Sequence, residues 1–489
     1  MAAGISGVTV HIYPGEWDDL HGAIRWAKQR FKHVIAVQTY GKDFPIEHRR
    51  PSFQLDQALR AGVRDWENVR LKLGAHNEIK KDGSIFFADT SQSSPFGAID
   101  DLRDSVRRRF GKDRSVVFGS AIQFGTLPDI LNQMRRSSAV ISIDSGPLHA
   151  SSGSATSTCA LATDQPTSWH GSAWHPRFAF YCRYGDYEAR KDELLWTLEK
   201  VLQGKEAQPK VKLISTTHPN AYNPSIIEWK GRIIRAYRFN PKPDEWPTSI
   251  AIEGKPIVFP QSLNQCSIED SRFFLHNGKL HISYVWVPYP LSNPANPPCS
   301  VGYSELAEDG GVFRLVKHTV VKYGKNDLTG QEKNWVFFES EGRLYCIYKC
   351  SPEQTVLEIN GENVVREFRT KSPEFCKGDI RGGTQPIEHN GLWLRFFHTL
   401  AVNRKNALWW FYYTGALLME KAPPFSITAV SKMPVASADE RYFADCKFWK
   451  PRVLIPYGAV KDGNGWRVSV GVNDGACGEL MVKPEHLNL

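Results

Sequence analysis

No apolar run in this 489-residue chain approaches the roughly 18–20 residues that a bilayer-spanning helix requires, so no membrane segment is expected. The opening MAAGISGVTVHIYPGEW lacks the basic flank and apolar core of a secretion signal. Cysteine is sparse and unpatterned: nine scattered residues, whose only close pair, Cys346 and Cys350, lies in LYCIYKC with no second pair at zinc-ligand spacing. That argues against a disulfide framework and a structural metal, and for reduced thiols in a cytoplasmic protein. Charge of one sign is also scarce. The formal net charge of +9 is spread thinly, with 27 basic and 24 acidic residues in 1–206 and 34 and 28 in 207–489. Its tightest run, Arg107-Arg108-Arg109 in AIDDLRDSVRRRF, reads as the solvated face of an amphipathic helix. No aromatic-plus-basic platform favours nucleic acid, whereas a mild positive surface suits anionic ligands such as sugar nucleotides. Disorder is excluded by 41% hydrophobic and 12% aromatic residues. A single core rarely grows beyond about 250–300 residues, so at least two domains are expected.

The texture of the chain changes near residue 205. Before it, short apolar strands alternate with helical patterns: VTVHIY with GAIRWAKQRF, SIFFADT with AIDDLRDSVRRRF, and SVVFGS with LPDILNQMRRS ahead of AVISIDSG. This alternation predicts an α/β, Rossmann-like domain over residues 1–205. The helix YEARKDELLWTLEKVLQG closes it, and residues 206–212 read as a linker. Over residues 213–489 the helical period almost vanishes. Strand–turn–strand units recur instead, among them SIIEWKGRIIRAYR, RFFLHNGKLHISYVW, WVFFESEGRLYCIYK and PIEHNGLWLRFFHTL, with RVLIPYGAVKDGNGWRVSVGV last. Turns such as KG, NG and EG suit positive φ, and about five such hairpins predict an all-β five-bladed propeller; a β-sandwich is the alternative.

In a propeller, polar residues at the strand ends converge on a central funnel. They are Asn223 and Arg238 around the first hairpin, Glu269-Asp270-Ser271-Arg272 opening the second, and Lys333-Asn334-Trp335 opening the third, which closes on Lys349. The fourth opens with Asp379-Ile380-Arg381-Gly382-Gly383 and ends at His398, and the last closes with Asn473-Asp474.

The ordered series NPSIIEWKGRIIRAYR, EDSR, EKNW, RGGTQPI…FFHTL, YYTGALLMEKAPPF and IPYGAV…GVND resembles glycoside phosphorylases and hydrolases of family 130 and related propeller β-mannosyltransferases. The resemblance spans roughly residues 215–485. It implies a five-bladed propeller acting on β-mannosides, with Asp270 as the acid that protonates the departing glycosidic oxygen. It further implies that Asn223, Arg238, Arg272, Lys333, Asn334, Trp335 and Asp474 hold the sugar, and that Lys349, Arg381 and His398 hold phosphate. One carboxylate suffices where phosphate is itself the nucleophile, whereas hydrolysis needs an acid and a base. Two departures stand out: Ser271 where the family has proline, and Asp379 where it has lysine. They weaken the expectation of strict phosphorolysis and make a nucleotide-sugar diphosphate a reasonable alternative ligand.

The segment AVISIDSGPLHASSGSATSTCALATDQP resembles the nucleotide-sugar-binding half of ADP-heptose-type glycosyltransferases, of GT-B architecture, over roughly residues 84–203. The resemblance implies that Asp144, Ser145, Gly146 and His149 bind phosphate or nucleotide at a helix start. Gly15-Glu16-Trp17-Asp18-Asp19-Leu20 faintly echoes that family's acceptor loop. Asp164, His170 and His175 read as loop residues, and a scaffold without chemistry is the other reading of this domain.

Together these features lead to an inverting glycosyltransferase that moves a sugar from a nucleotide sugar to an acceptor hydroxyl, with Asp270 as acid/base. The alternative is a β-mannoside phosphorylase or hydrolase, and the third reading a non-catalytic carbohydrate-binding or DNA-modification-associated protein. No cofactor is implied, since nucleotide sugar or phosphate enters as substrate.

Overall fold

A computed structural model of the chain describes two strands at residues 7–12 and 33–38 and residues 80–489, apart from 92–93, 123–126, 152–155, 164–177, 219, 242–246, 290–296, 403–409 and 439–451. The acceptor-loop echo at residues 15–20 and Asp164, His170 and His175 therefore lie outside the described residues. Two compact units are present, Met1–Tyr187 and Glu188–Leu489.

In the first unit, β1 (Gly7–Ile12) and β2 (His33–Gln38) pair in parallel. A second sheet comprises β3 (Ile85–Ala88), β4 (Val116–Phe118), β5 (Ala139–Ser142), β6 (Thr158–Ala162) and β7 (Phe178–Arg183). All five are parallel, in the order β4-β3-β5-β6-β7. Strands β3, β5 and β6 are buried throughout, as their unbroken apolar runs require when both faces are covered. Between strands run α1 (Ile99–Phe110), α2 (Leu127–Arg136) and the short α3 (Gly146–Ser151). Helix α1 buries Leu102, Val106 and Phe110 at four-residue spacing. It leaves Arg107, Arg108 and Arg109 exposed in its last turn, where cations complement the helix dipole.

Helix α4 (Tyr187–Leu202) leads into the second unit, where β8 (Val211–Leu213) precedes five antiparallel sheets. Blade I is β9 (Tyr222–Trp229), β10 (Arg232–Phe239), β11 (Ser249–Ile252) and β12 (Lys255–Pro256). Blade II is β13 (Cys266–His276), β14 (Lys279–Pro288), β15 (Ser300–Asp309), β16 (Val312–Leu315) and β17 (Thr319–Val320). Blade III is β18 (Val336–Ser340), β19 (Arg343–Lys349), β20 (Glu353–Asn360) and β21 (Asn363–Lys371). Blade IV is β22 (Ile380–Gly383), β23 (Ile387–His389), β24 (Leu392–Val402), β25 (Trp410–Met419), β26 (Ile427–Val430) and β27 (Ala436–Ser437). Blade V is β28 (Leu454–Asp462), β29 (Gly465–Val472) and β30 (Ala476–Val482), to which β8 adds the outer strand, and α5 (Pro484–Leu487) follows.

Inner strands pack in a ring: β9 on β13, β13 on β18, β22 on β28 and β28 back on β9, with β19 meeting β22. Apolar clusters fill the spaces between successive blades, for example Ile234, Phe273 and Ile282 between I and II, and Phe396, Val468 and Val470 between IV and V. The unit is a five-bladed β-propeller; a sandwich would not carry one strand order around a closed ring. The hairpin turns take the left-handed backbone their sequences specify, with Lys230-Gly231 at φ 52° and 71°, Asn277-Gly278 at 51° and 71°, and Glu341-Gly342 at 50° and 72°.

Candidate active site

Three inner strands break register where polar residues gather. Strand β13 shifts between Glu269 and Arg272 against β14, β9 between Tyr222 and Ser225 against β10, and β22 between Ile380 and Gly383 against β24. A bulge places two successive side chains against one partner residue and so re-aims one of them. In β13 the outcome is that Ser271 is wholly buried while Asp270 keeps 19% of its side chain exposed, on a backbone with φ 50°. Asn223 (φ 52°), Asn334 (φ 66°) and Asp474 (φ 51°) share that left-handed conformation. It is unfavourable for most L-residues and tolerated best by Asn and Asp. Such strained positions concentrate at functional sites.

Asp270 is held from several blades. The Asn223 side-chain amide of blade I donates to its Oδ1 at 2.9 Å, and Arg238 Nη1 stands 3.6 Å from the same oxygen. Among the described residues Oδ2 has no hydrogen-bond partner, which makes it the oxygen available for proton transfer. Arg238 Nη2 pairs with Glu269 at 3.1 Å, and its guanidinium lies over the Tyr222 ring at 4.9 Å. Arg272 Nη1 donates to the Asp270 carbonyl oxygen at 3.1 Å and fastens the bulge. Its Nε donates to the Gly383 carbonyl at 3.0 Å, and its guanidinium covers the Tyr457 ring at 4.8 Å. Burial alone would raise the Asp270 carboxyl; the charges of Arg238, Arg272 and Lys333 and the Asn223 amide outweigh it and hold the group below the usual aspartate range. Burial pushes the Tyr222 hydroxyl up to about 12. Arg238 itself binds its proton more tightly than usual: burial opposes this, but Glu269, Tyr222, Asp270 and Asp474 more than compensate.

The structure therefore brings together Asn223, Arg238, Asp270, Arg272, Lys333, Asn334 and Asp474. Two further expected residues are buried. Trp335 is 1% exposed, packs in the core between blades II and III and donates its indole N–H to Glu332 at 3.1 Å, so it offers no surface to a sugar. His398 is buried, with Nδ1 2.5 Å from the Gly382 carbonyl oxygen, which can only accept. Burial, reinforced by Arg272 and Arg381, lowers its pKa to about 3. With its Nδ1–H committed to that carbonyl, the neutral imidazole presents a lone pair at Nε2. It fixes the Gly382 turn that carries Arg381. A Cβ on Gly382 would overlap the Asn334 carbonyl oxygen, so glycine is needed there for close approach. Arg381 is exposed beside this turn, as is Asp379. Lys349 is exposed at the end of β19 and has no ion-pair partner among the described residues, whereas Lys333 is the lysine whose charge reaches Asp270.

The sequence reading assigned no role to Glu269, Tyr222 or Tyr457. Glu269 carries a signal in its neighbour Asp270; Tyr222 meets Arg238 as its partner across the first hairpin, whereas Tyr457 of blade V meets Arg272 of blade II only through ring closure.

In the first unit, Asp144 follows β5 and accepts from the Thr163 hydroxyl at 2.7 Å, while its backbone N–H donates to Tyr184 Oη at 3.0 Å. The Ser145 hydroxyl donates to the Ile143 carbonyl, and Gly146 opens α3, which contains His149. Asp144 and Ser145 thus brace the loops at the carboxyl edge of the sheet.

No protein-family model and no curated protein matches the chain. Among solved structures the chain is similar to β-1,2-mannobiose phosphorylase from Listeria innocua, at 15% identity and TM-score 0.41, covering 57% of this chain and 92% of that one. It is also similar to a glycosyl hydrolase from Bacteroides ovatus, at 13% and 0.41, covering 57% and 92%. A third is a mannose phosphorylase from Leishmania mexicana, at 11% and 0.40, covering 61% and 94%.

Proposed function

We propose that the propeller is a β-mannoside phosphorylase in which Asp270 protonates the departing glycosidic oxygen while phosphate attacks the anomeric carbon. The observation that carries this reading is one aspartate, on a strained bulge with Oδ2 open, inside a ring of cations formed by Arg238, Arg272 and Lys333. Cleavage by water would need a second carboxylate free to act as base. The neighbouring carboxylate, Glu269, is buried against Arg238 instead. Asn223, Arg238, Asn334 and Asp474 are the hydroxyl-binding groups of the sugar subsite, and Arg272, Lys333 and Arg381 the cationic wall that meets phosphate. The test is release of a sugar 1-phosphate from β-linked manno-oligosaccharides. Arg381→Ala should raise the phosphate concentration needed for half-maximal rate by tenfold or more while leaving the apparent KM for the oligosaccharide within about twofold. Release of free mannose at the same rate without phosphate would defeat the reading.

A second reading, transfer from a nucleotide sugar bound by a Rossmann-like, GT-B-like first unit, is favoured by that unit's parallel sheet. Open sheets of this kind take ligands outside the carboxyl ends of their strands. A cavity of 460 Å³ lies there, lined in part by Asp89, Asp100, Asp104, Arg103, Arg107 and Phe118. Nucleotide release from a panel of nucleotide sugars would decide for it, and no release from any donor would remove it.

A further inference from the structure

We propose that anion binding in the funnel and protonation of Asp270 are one linked event. The inference rests on the phosphorolysis reading and follows from a conflict within it. A general acid must carry a proton, yet the groups around Asp270 favour the carboxylate. Oδ1 accepts from the Asn223 amide at 2.9 Å and faces Arg238 Nη1 at 3.6 Å. Arg272 on its own strand and Lys333 ahead of blade III add positive charge, and on blade IV the charges of Arg272 and Arg381 both act on His398, which burial keeps neutral. Opposing them, Glu269 shares Arg238, Asp474 acts on Arg238 from blade V, and Tyr222 and Tyr457 form unionised walls.

An anion drawn to the exposed Lys333, with the buried Arg272 behind it, offsets charges that keep Asp270 ionised. Its negative charge disfavours a second one nearby. A proton from solvent then joins Oδ2. In the reaction that proton passes to the glycosidic oxygen as the old C–O bond breaks and the phosphate O–C bond forms, leaving Asp270 a carboxylate again. Linkage is reciprocal, so protonation of Asp270 strengthens anion binding by the same factor. The acid therefore becomes competent only after the anion has arrived, which protects the glycoside from cleavage by water.

Sulfate separates this linkage from turnover, because it is fully ionised and forms no glycosyl product. The full-length protein is titrated with sodium sulfate by calorimetry at about pH 5, roughly one unit above the usual aspartate pKa, in two buffers of different ionisation enthalpy. The expected result is net proton uptake on sulfate binding, lost in Asp270→Asn while sulfate still binds. Sulfate binding without uptake in the unaltered protein overturns the proposal, as does failure of sulfate to bind. Uptake that persists in Asp270→Asn assigns the proton to another group, His398 foremost, and overturns it equally. Linked uptake in a protein that releases no sugar 1-phosphate would uphold the linkage and remove the phosphorolysis reading, so the two fail separately.

Discussion

At Asp270 a left-handed backbone, an amide donor and three cations converge on one carboxyl group. General acid catalysis typically contributes about 10²–10⁴ in rate, so Asp270→Asn should lower kcat by that factor and leave KM nearly unchanged, measured by steady-state kinetics with saturating phosphate. His398 gives a prediction of opposite character. Its folded-state pKa of about 3 lies below the usual value near 6.5, so below about pH 6.5 the unfolded chain binds the proton that the folded chain refuses. Stability should therefore fall as the solution is acidified from pH 7 to 5, by up to about 1.4 kcal/mol per pH unit from this group. His398→Gln should remove that part of the slope in urea unfolding; an unchanged slope would contradict the burial described. The strand-opening cluster Glu269-Asp270-Ser271-Arg272 was legible in the sequence because charged residues interrupt an otherwise apolar strand. The burial of His398 and Trp335 was not legible, because nothing local marks which face of a strand end is sealed by the next blade.

Among the elements, hairpins and their turns were the most legible part, since Lys230-Gly231, Asn277-Gly278 and Glu341-Gly342 announce positive φ directly. Bulges were not legible: a register break at Glu269–Arg272 depends on the partner strand, which the local sequence does not contain. Two glycines separate the roles of turn and bulge. Gly391 lies in a hairpin turn at φ 80° with open space around it, so Gly391→Ala should cost about 1–2 kcal/mol in chemical denaturation and leave activity intact. Gly382 backs onto the Asn334 carbonyl, so Gly382→Ala must move either Asn334 or Arg381. It should cost about 1–3 kcal/mol and also reduce kcat/KM at least tenfold. Equal activity of the two variants would show that the β22 bulge does not shape the site.

For the molecule as a whole, ring closure is the decisive device. Blade V borrows β8 from the start of the unit, pairing Val211 with Leu480 and Leu213 with Gly478. Helix α4 adds the buried Arg190–Glu193 pair at 2.9 Å, with Glu193 accepting from Ser437 at 2.6 Å. Residues 206–212, read from their polar composition as a linker, thus include part of the closing strand, whose role depends on a partner more than 260 residues away. A chain beginning at residue 188 should unfold cooperatively and keep its activity. One beginning at residue 214 should lose the cooperative transition, because it exposes the edge of β30 and the apolar face that Val211 covers. Circular dichroism melting distinguishes the two. In the first unit the parallel sheet was legible from strand–helix alternation, whereas the bracing roles of Asp144 and Ser145 were not.

The claim that joins these scales is that the cation-ringed Asp270 serves attack by phosphate. Phosphorus NMR of the protein with a β-linked mannobiose and inorganic phosphate tests it most directly. The account predicts a growing α-mannose 1-phosphate signal, of inverted anomeric configuration, that is absent in Asp270→Asn. Consumption of the disaccharide to free mannose, with the phosphate signal unchanged, would contradict it.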